Sequence, residues 1–94
     1  MTKRTIKAMT KFGKDLKRAR RQGKNIGLLD KVIVMLANDE QLPASYRDHA
    51  LKGNWRGYRE CHVEPDWLLV YKKTDEGELL LYLARIASHS DLNF

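Results

Sequence analysis

Three histidines, His49, His62 and His89, carry the side chains best suited to exchange protons near neutral pH. Asp66 follows His62 by four positions, and Arg85 precedes His89 by four. Such a set suits cleavage of an RNA phosphodiester, which needs a base for the 2′-hydroxyl, an acid for the departing 5′-oxygen and a cation beside the phosphorane. We therefore take these five as candidate catalytic residues.

A metal site is the first alternative for the histidines. Their spacing along the chain matches no zinc motif, and His62 adjoins Cys61, although neighbours on a strand point to opposite faces. The sequence therefore predicts no metal and no other cofactor. Taken singly, His49 is equally well explained as a surface loop residue and His89 as part of a frayed tail.

The pattern of apolar residues predicts the elements that position these side chains. A short strand over 2–8 precedes a helix starting at Met9, and a second helix runs over Ile26–Asn38. After a polar loop, three strands follow over 51–61, 67–73 and 79–88. The predicted fold class is α+β: a small antiparallel sheet, made of the short N-terminal strand and a three-stranded C-terminal meander, with two helices packed on one face. The site is expected on the open face, at the strand ends.

Length and composition limit the class of protein. The 94 residues predict a single domain over 1–94. No apolar stretch approaches the roughly 20 residues of a membrane span, and the basic N-terminus lacks the apolar region of a signal peptide. Because the only cysteine is Cys61, no disulfide supports the fold. These features predict a soluble, cytoplasmic protein without a membrane partner.

The formal charge of +6 is concentrated in two stretches. Residues 1–24 hold ten Lys/Arg and one acid, Asp15. A field of this sign favours phosphate-rich partners, although a solvated basic helix explains residues 14–24 equally well. The second stretch supplies candidate RNA contacts, and two aromatic residues are candidates for stacking on an unpaired base. The predicted substrate-binding residues are Lys52, Arg56, Arg59, Trp67 and Phe94.

Residues 42–72, LPASYRDHALKGNWRGYRECHVEPDWLLVYK, resemble the YafQ branch of the RelE-type toxins of bacterial type II toxin–antitoxin pairs. The resemblance rests on Asp48–His49, on the glycine and aromatic pattern over 53–59, and on the segment HVEPDW over 62–67. It implies a RelE-like fold and a ribosome-dependent mRNA endoribonuclease that cuts in the aminoacyl site. It also implies a cognate antitoxin as partner, with operator DNA bound only by the toxin–antitoxin complex.

The resemblance places catalytic roles on the same residues. We expect His49 or His62 to be the general base, His89 the general acid, Arg85 the group that stabilises the phosphorane, and Asp66 a residue that orients a histidine. The base and the acid can be exchanged in this scheme.

Two other functions compete with the enzyme. A non-catalytic module of the same fold would bind nucleic acid through its basic helices, and its affinity would fall steeply with salt. An interaction protein would only dock an acidic partner such as an antitoxin segment. Both treat the positions of His49, His62, Asp66 and His89 at separate strand ends as coincidence.

Overall fold

In the computed structural model, which describes residues 2–92, two helices follow a short first strand. The strand β1 spans Thr5–Ala8, helix α1 spans Thr10–Arg21 and helix α2 spans Ile26–Ala37. Asn25 precedes α2, and its side chain accepts a hydrogen bond from the Leu28 N–H, as an N-cap does. The two predicted helices are therefore confirmed to within a residue at each boundary that was given.

The helices cover one face of the sheet because each has an apolar side. Helix α1 buries Phe12 and Ala19, and α2 buries Leu29, Val32 and Leu36, against the same side of the strands. The lysines and arginines that alternate with these residues on α1 are mostly exposed. The amphipathic pattern of the first 24 residues thus reflects one buried side and one basic, solvated side.

The sheet has five strands in the order β1-β5-β4-β3-β2. The remaining four strands are β2 over His49–Ala50, β3 over Arg59–Glu64, β4 over Trp67–Thr74 and β5 over Leu80–Ala87. The meander β3-β4-β5 is antiparallel as predicted, but β1 pairs with β5 in parallel, and β2 is an additional strand. The predicted sheet is therefore correct except for the direction of β1 and the number of strands. Periodicity says nothing about pairing direction, which the path through α1 and α2 determines.

The sequence predicted that the second face of the sheet would be open. In the structure this face is covered. A separate apolar cluster forms there around Leu68, Val70 and Ala84. Trp55 and Tyr58 pack against it, with their rings edge to face at 5.2 Å. Residues 51–58 form no strand in the structure; a 3-10 turn occupies 53–55, and the strand starts only at 59. The alternation that predicted a strand here comes from residues that fold over the sheet rather than extend it.

The C-terminal segment adds a short helix, α3, over His89–Leu92. Its Leu92 is buried in the second apolar cluster, which holds α3 against the end of β5. Within residues 2–92, no helix combines the length and hydrophobicity that a membrane crossing requires.

Candidate active site

The first three polar residues of the site are placed by the pairing of β2 with β3. His49 lies directly across from Glu60, and His62 follows Glu60 by two positions on the same strand. Alternate residues of a strand share a face, so Glu60 and His62 both lie on the side of the second apolar cluster. A strand of two residues is thus sufficient to bring His49 to β3.

His89 reaches the site because two contacts with Asp66 hold it. Pro65 and Asp66 form the tight turn between β3 and β4, where Glu64 pairs with Trp67. One oxygen of Asp66 accepts the His89 backbone N–H at 2.9 Å and lies 2.7 Å from the His89 ring Nδ1. The turn at Pro65 and Asp66 therefore holds the first residue of α3.

The three histidines form a row. The ring centres of His49 and His62 are 6.5 Å apart, and those of His62 and His89 are 5.5 Å apart. One ligand atom each of Glu60, His62 and His89 lie within 4.8 Å of one another. Residues separated by up to 40 positions in the sequence thus meet in one cluster, as the proposed chemistry requires.

Glu60 is the site residue that sequence reasoning missed. Its side chain is buried, its Oε1 lies 3.4 Å from His49 Nε2, and its Oε2 has no hydrogen-bond partner among the described residues. A carboxylate at a buried strand position, two residues before a histidine on the same face, is the signal that would have identified it. Burial of an unpaired carboxylate is costly, which marks Glu60 as a functional rather than a packing residue.

The hydrogen bonds also indicate where protons reside. His49 Nδ1 lies 2.7 Å from the Arg47 carbonyl oxygen, which can only accept, so Nδ1 carries a proton and Nε2 faces Glu60. The backbone and ring N–H groups of His89 hold the pKa of Asp66 below its usual range. Asp66 is therefore ionised, and His89 donates to it through Nδ1 and keeps Nε2 for the substrate.

Comparison with known proteins identifies the family of this chain. Residues 4–93 match the model of the bacterial toxin of type II toxin–antitoxin systems, YafQ. The chain belongs to the YafQ toxin family. It is 42% identical to the mRNA interferase toxin YafQ of Escherichia coli strain K12 over 98% of both chains.

Solved structures of YafQ toxins have the same fold. The E. coli DinJ–YafQ toxin–antitoxin complex contains a chain that superposes with a TM-score of 0.85 and 42% identity, covering 96% of this chain and 97% of that one. A metal-bound toxin from Helicobacter pylori superposes with a TM-score of 0.87 and 44% identity, covering 98% and 99%. The predicted family and fold are confirmed.

One aromatic residue predicted to bind substrate is placed differently. Trp67 is only 2% exposed and lies in the core beneath the helices, where its ring centroid is 5.9 Å from the Lys24 ammonium. A buried indole offers no free face on which a base can stack, so the prediction for Trp67 as a stacking residue is wrong in this structure. Phe94, the other predicted stacking residue, lies outside the described residues.

The predicted role of Arg85 also needs correction. Its Nε and Nη2 donate to the two oxygens of Asp15 at 2.7 and 3.1 Å, and the Ile86 N–H donates to the same carboxylate. The hydrogen bond to the Asp15 carboxylate raises the pKa of Arg85. The guanidinium is thus bound to a buried partner from α1, and in this arrangement it does not contribute a free cation to the phosphate.

The predicted basic contacts divide into two kinds. Lys52 and Arg56 are exposed on the segment that covers the second face. Arg59 donates to Asp48 at 3.3 and 3.4 Å, and Asp48 also accepts the Tyr71 hydroxyl at 2.6 Å. Lys52 and Arg56 are therefore accessible to RNA, whereas Arg59 is engaged in a polar network.

Two further features bear on chemistry at the site. The Cys61 thiol is buried, and burial raises its pKa to about 12, so it is not a nucleophile. Glu60, His62 and His89 supply one carboxylate and two imidazoles, a donor set that Zn²⁺ and Cu²⁺ accept. Strand pairing brings these donors together, which motif spacing did not reveal. That the reaction itself needs no metal stays a prediction.

Proposed function

We propose that this chain is the toxin of a type II toxin–antitoxin pair and cleaves mRNA on the ribosome, in the aminoacyl site. The observation that carries the proposal is the row of three histidines, with Glu60 alongside it in contact with His49 and Asp66 in contact with His89. It provides one proton-accepting end and one proton-donating end within a single cluster.

The Glu60–His49 end is the proton acceptor. His49 directs Nδ1 toward the Arg47 carbonyl oxygen, at 2.7 Å, and Nε2 toward the Glu60 carboxylate, at 3.4 Å. Two acceptors facing each other gain a hydrogen bond only when a proton arrives between them. The pair is therefore poised to take the proton of the 2′-hydroxyl, with either Nε2 or the carboxylate as the receiving atom.

The His89–Asp66 end is the proton donor. The ionised Asp66 accepts from His89 Nδ1 at 2.7 Å and so orients the ring, which leaves Nε2 as the atom that carries the donated proton. The 2′-oxygen attacks phosphorus, the bond from phosphorus to the 5′-oxygen breaks, and His89 gives its Nε2 proton to that oxygen. The products are a 2′,3′-cyclic phosphate and a 5′-hydroxyl. His62, between the two ends, is the group closest to the phosphate charge in place of Arg85.

The proposed partners follow from the same assignment. The complex of a YafQ relative with DinJ supports a cognate antitoxin as the protein partner. The exposed basic side chains of α1, together with Lys52 and Arg56, are suited to ribosomal RNA. Operator DNA is expected to be bound only by the toxin–antitoxin complex, and the site of action is the cytoplasm, where ribosomes are found.

The proposal is tested by mapping the ends of cleaved mRNA in a translating extract, with purified wild-type chain and His89→Ala. We expect wild type to produce 2′,3′-cyclic phosphate ends within codons, and His89→Ala to cleave about 10²–10⁴-fold more slowly. Ser90→Ala, an exposed neighbour on α3, is the control and should cleave like wild type.

Three results would contradict the proposal. Cleavage of naked RNA at the same positions would remove the ribosome from the mechanism. Full cleavage by His89→Ala would remove the proposed acid, and translation arrest without any cut mRNA would favour the non-catalytic binding module instead.

A further inference from the structure

A cavity of about 390 Å³ lies beside the histidine row, between the 3-10 turn over Ala44–Tyr46 and strand β3. This volume falls within the range of about 300–1,000 Å³ that is usual for sites of small ligands. His62 forms part of its wall, so the cavity opens next to the proposed position of the scissile phosphate. Its lining residues are Ser45, Tyr46, Arg47, His62, Val63, Glu64 and Pro65.

The path of β3 creates this cavity. Strand β2 pairs with β3 only at Arg59 and Glu60, so within the described part of the chain no strand covers the outer edge of β3 beyond Glu60. The pairing with β4 also shifts register between His62 and Glu64. Such a bulge changes the direction of side chains locally and is common beside active sites. Glu64 is thereby placed beside the same cavity as His62.

The polar groups around the cavity are free to bind a ligand. Among the described residues, the side chains of Ser45, Arg47 and Glu64 form no hydrogen bond or ion pair, and His62 Nδ1 is buried without a partner. Tyr46 is half-buried and supplies an aromatic wall. An unstacked nucleobase can be bound by groups of these kinds: an aromatic ring, an unpaired carboxylate and an unpaired guanidinium.

We propose that this cavity holds a nucleobase next to the scissile phosphate, with the base stacked on Tyr46 and its exocyclic amino group donating to the Glu64 carboxylate. The inference rests on the proposed endoribonuclease function and adds the means of base selection. Arg47 is placed to contact the phosphate of the same nucleotide. The aromatic platform expected from Trp67 is thus supplied by Tyr46, which packs partly against the core beneath the helices and also lines this cavity.

The chemistry of Glu64 defines the preference. A carboxylate accepts hydrogen bonds but cannot donate them, so it favours adenine, cytosine and guanine, which carry an amino group, over uracil, which carries none. A hydrogen bond to a charged group is strong enough to change such a ratio by about tenfold. Glutamine in the same place both donates and accepts, and therefore tolerates uracil.

The test is to sequence the ends of mRNA cut in a translating extract by wild type, Glu64→Gln, Tyr46→Phe and Tyr46→Leu. Glu78→Gln, an exposed glutamate in the turn between β4 and β5, is the matched control. At one fixed position beside the cut, we expect Glu64→Gln to lower the ratio of amino-bearing bases to uracil about tenfold. Tyr46→Leu should cleave about tenfold more slowly than Tyr46→Phe, which keeps the aromatic ring, because stacking is lost.

The outcomes separate this inference from the proposed function. If wild type cuts mRNA but Glu64→Gln leaves the base distribution unchanged, the nucleobase site is wrong and the nuclease stands. If Glu64→Gln weakens binding of the antitoxin while the base distribution stays the same, the cavity belongs to the antitoxin and the inference is again overturned. If wild type cuts nothing, both proposals fail. Circular dichroism melting curves of the Tyr46 variants separate loss of stacking from loss of the fold.

Discussion

Two acidic side chains are buried within residues 2–92, and only one of them has a full set of hydrogen-bond partners. Asp15 is 6% exposed and accepts hydrogen bonds from Arg85 on both oxygens and from the Ile86 N–H. Glu60 is 4% exposed, has one oxygen 3.4 Å from His49 Nε2 and has no partner for the other oxygen among the described residues. The two side chains are thus about equally buried. Both oxygens of Asp15 have hydrogen-bond partners, whereas one oxygen of Glu60 is left as a position where a proton can bind.

We infer from this difference that Asp15 serves the fold and that Glu60 serves the proposed reaction. Asp15 lies where β1 has ended, and there its carboxylate satisfies the backbone of β5 and neutralises Arg85. The cost of removing it from water is offset by good geometry. Glu60 has no such compensation, so its retention at a buried position is explained by its chemistry with the histidines. Exchanging each carboxylate for its amide tests the two roles with the same chemical change.

The largest effect is expected for Glu60→Gln. The amide cannot take a proton from the 2′-hydroxyl, and it also deprives His49 of its charged neighbour, so cleavage of mRNA in a translating extract should fall about 10²–10³-fold. Because one oxygen of Glu60 has no partner among the described residues, the amide loses no hydrogen bond at that position, and the free energy of unfolding in urea should not decrease. A variant that cleaves at the wild-type rate would remove Glu60 from the mechanism.

The second effect, on stability, is expected for Asp15→Asn. This change leaves the Arg85 guanidinium, whose side chain is 15% exposed, without its carboxylate. Breaking a buried ion pair from one side typically costs about 3–5 kcal/mol, and urea unfolding monitored by circular dichroism measures it. The cleavage rate per folded molecule should change far less than in Glu60→Gln. If Asp15→Asn instead abolishes cleavage while unfolding like wild type, the assignment of Asp15 to the fold is wrong.

The sequence predicted those site residues that their side-chain chemistry identifies. It did not predict the residue whose place in the site depends on strand pairing. His49, His62, Asp66 and His89 were identified because few side chains exchange protons near neutral pH, and the structure brings all four together. Glu60 was missed because an acidic residue is common on a surface and only the pairing of β2 with β3 shows that it is buried.

The elements show the same division. Helices α1 and α2 were predicted because their apolar residues repeat at a period that only a helix brings onto one face. The alternating residues around Trp55 predicted a strand, but they fold over the second face as a 3-10 turn, and Trp67 enters the core instead of the site. Alternation records which residues become buried, and it does not record whether a strand or a folded-over segment buries them.

A third carboxylate, Asp39, lies away from the histidines. It tests whether the hydrogen-bond partners of a carboxylate are enough to distinguish a structural role from a catalytic one. It accepts from Arg4 Nε at 2.6 Å and from Lys73 Nζ at 2.8 Å. The hydrogen bond from Arg4 is the main reason why the pKa of Asp39 is lowered to about 2. Asp39 has hydrogen-bond partners, as Asp15 has, but it is more exposed. We therefore expect it to stabilise the fold weakly and to contribute nothing to cleavage.

The smallest effect is therefore expected for Asp39→Asn, and it depends on pH. A carboxyl with a lowered pKa stabilises the folded state above its unfolded pKa of about 3.9, and this contribution is lost as the pH falls toward 2. After allowance for solvent screening, Asp39→Asn should lower the free energy of unfolding by about 1 kcal/mol at pH 7. Asparagine tolerates the positive φ of 58° at this position, so the backbone should not contribute to the loss.

Urea unfolding at pH values between 2 and 7 checks this, with Asp30→Asn, an exposed position on α2, as the control. The difference between wild type and Asp39→Asn should be constant from pH 7 to about 5 and shrink below pH 4, whereas Asp30→Asn should follow wild type throughout. A difference that persists unchanged at the lowest pH would mean that Asp39 acts through its shape rather than its charge. In that case the number of hydrogen-bond donors around a carboxylate would not by itself explain why Asp15 stabilises the fold. The only remaining reason to assign different roles to Asp15 and Glu60 would be that Glu60 lies beside the histidines.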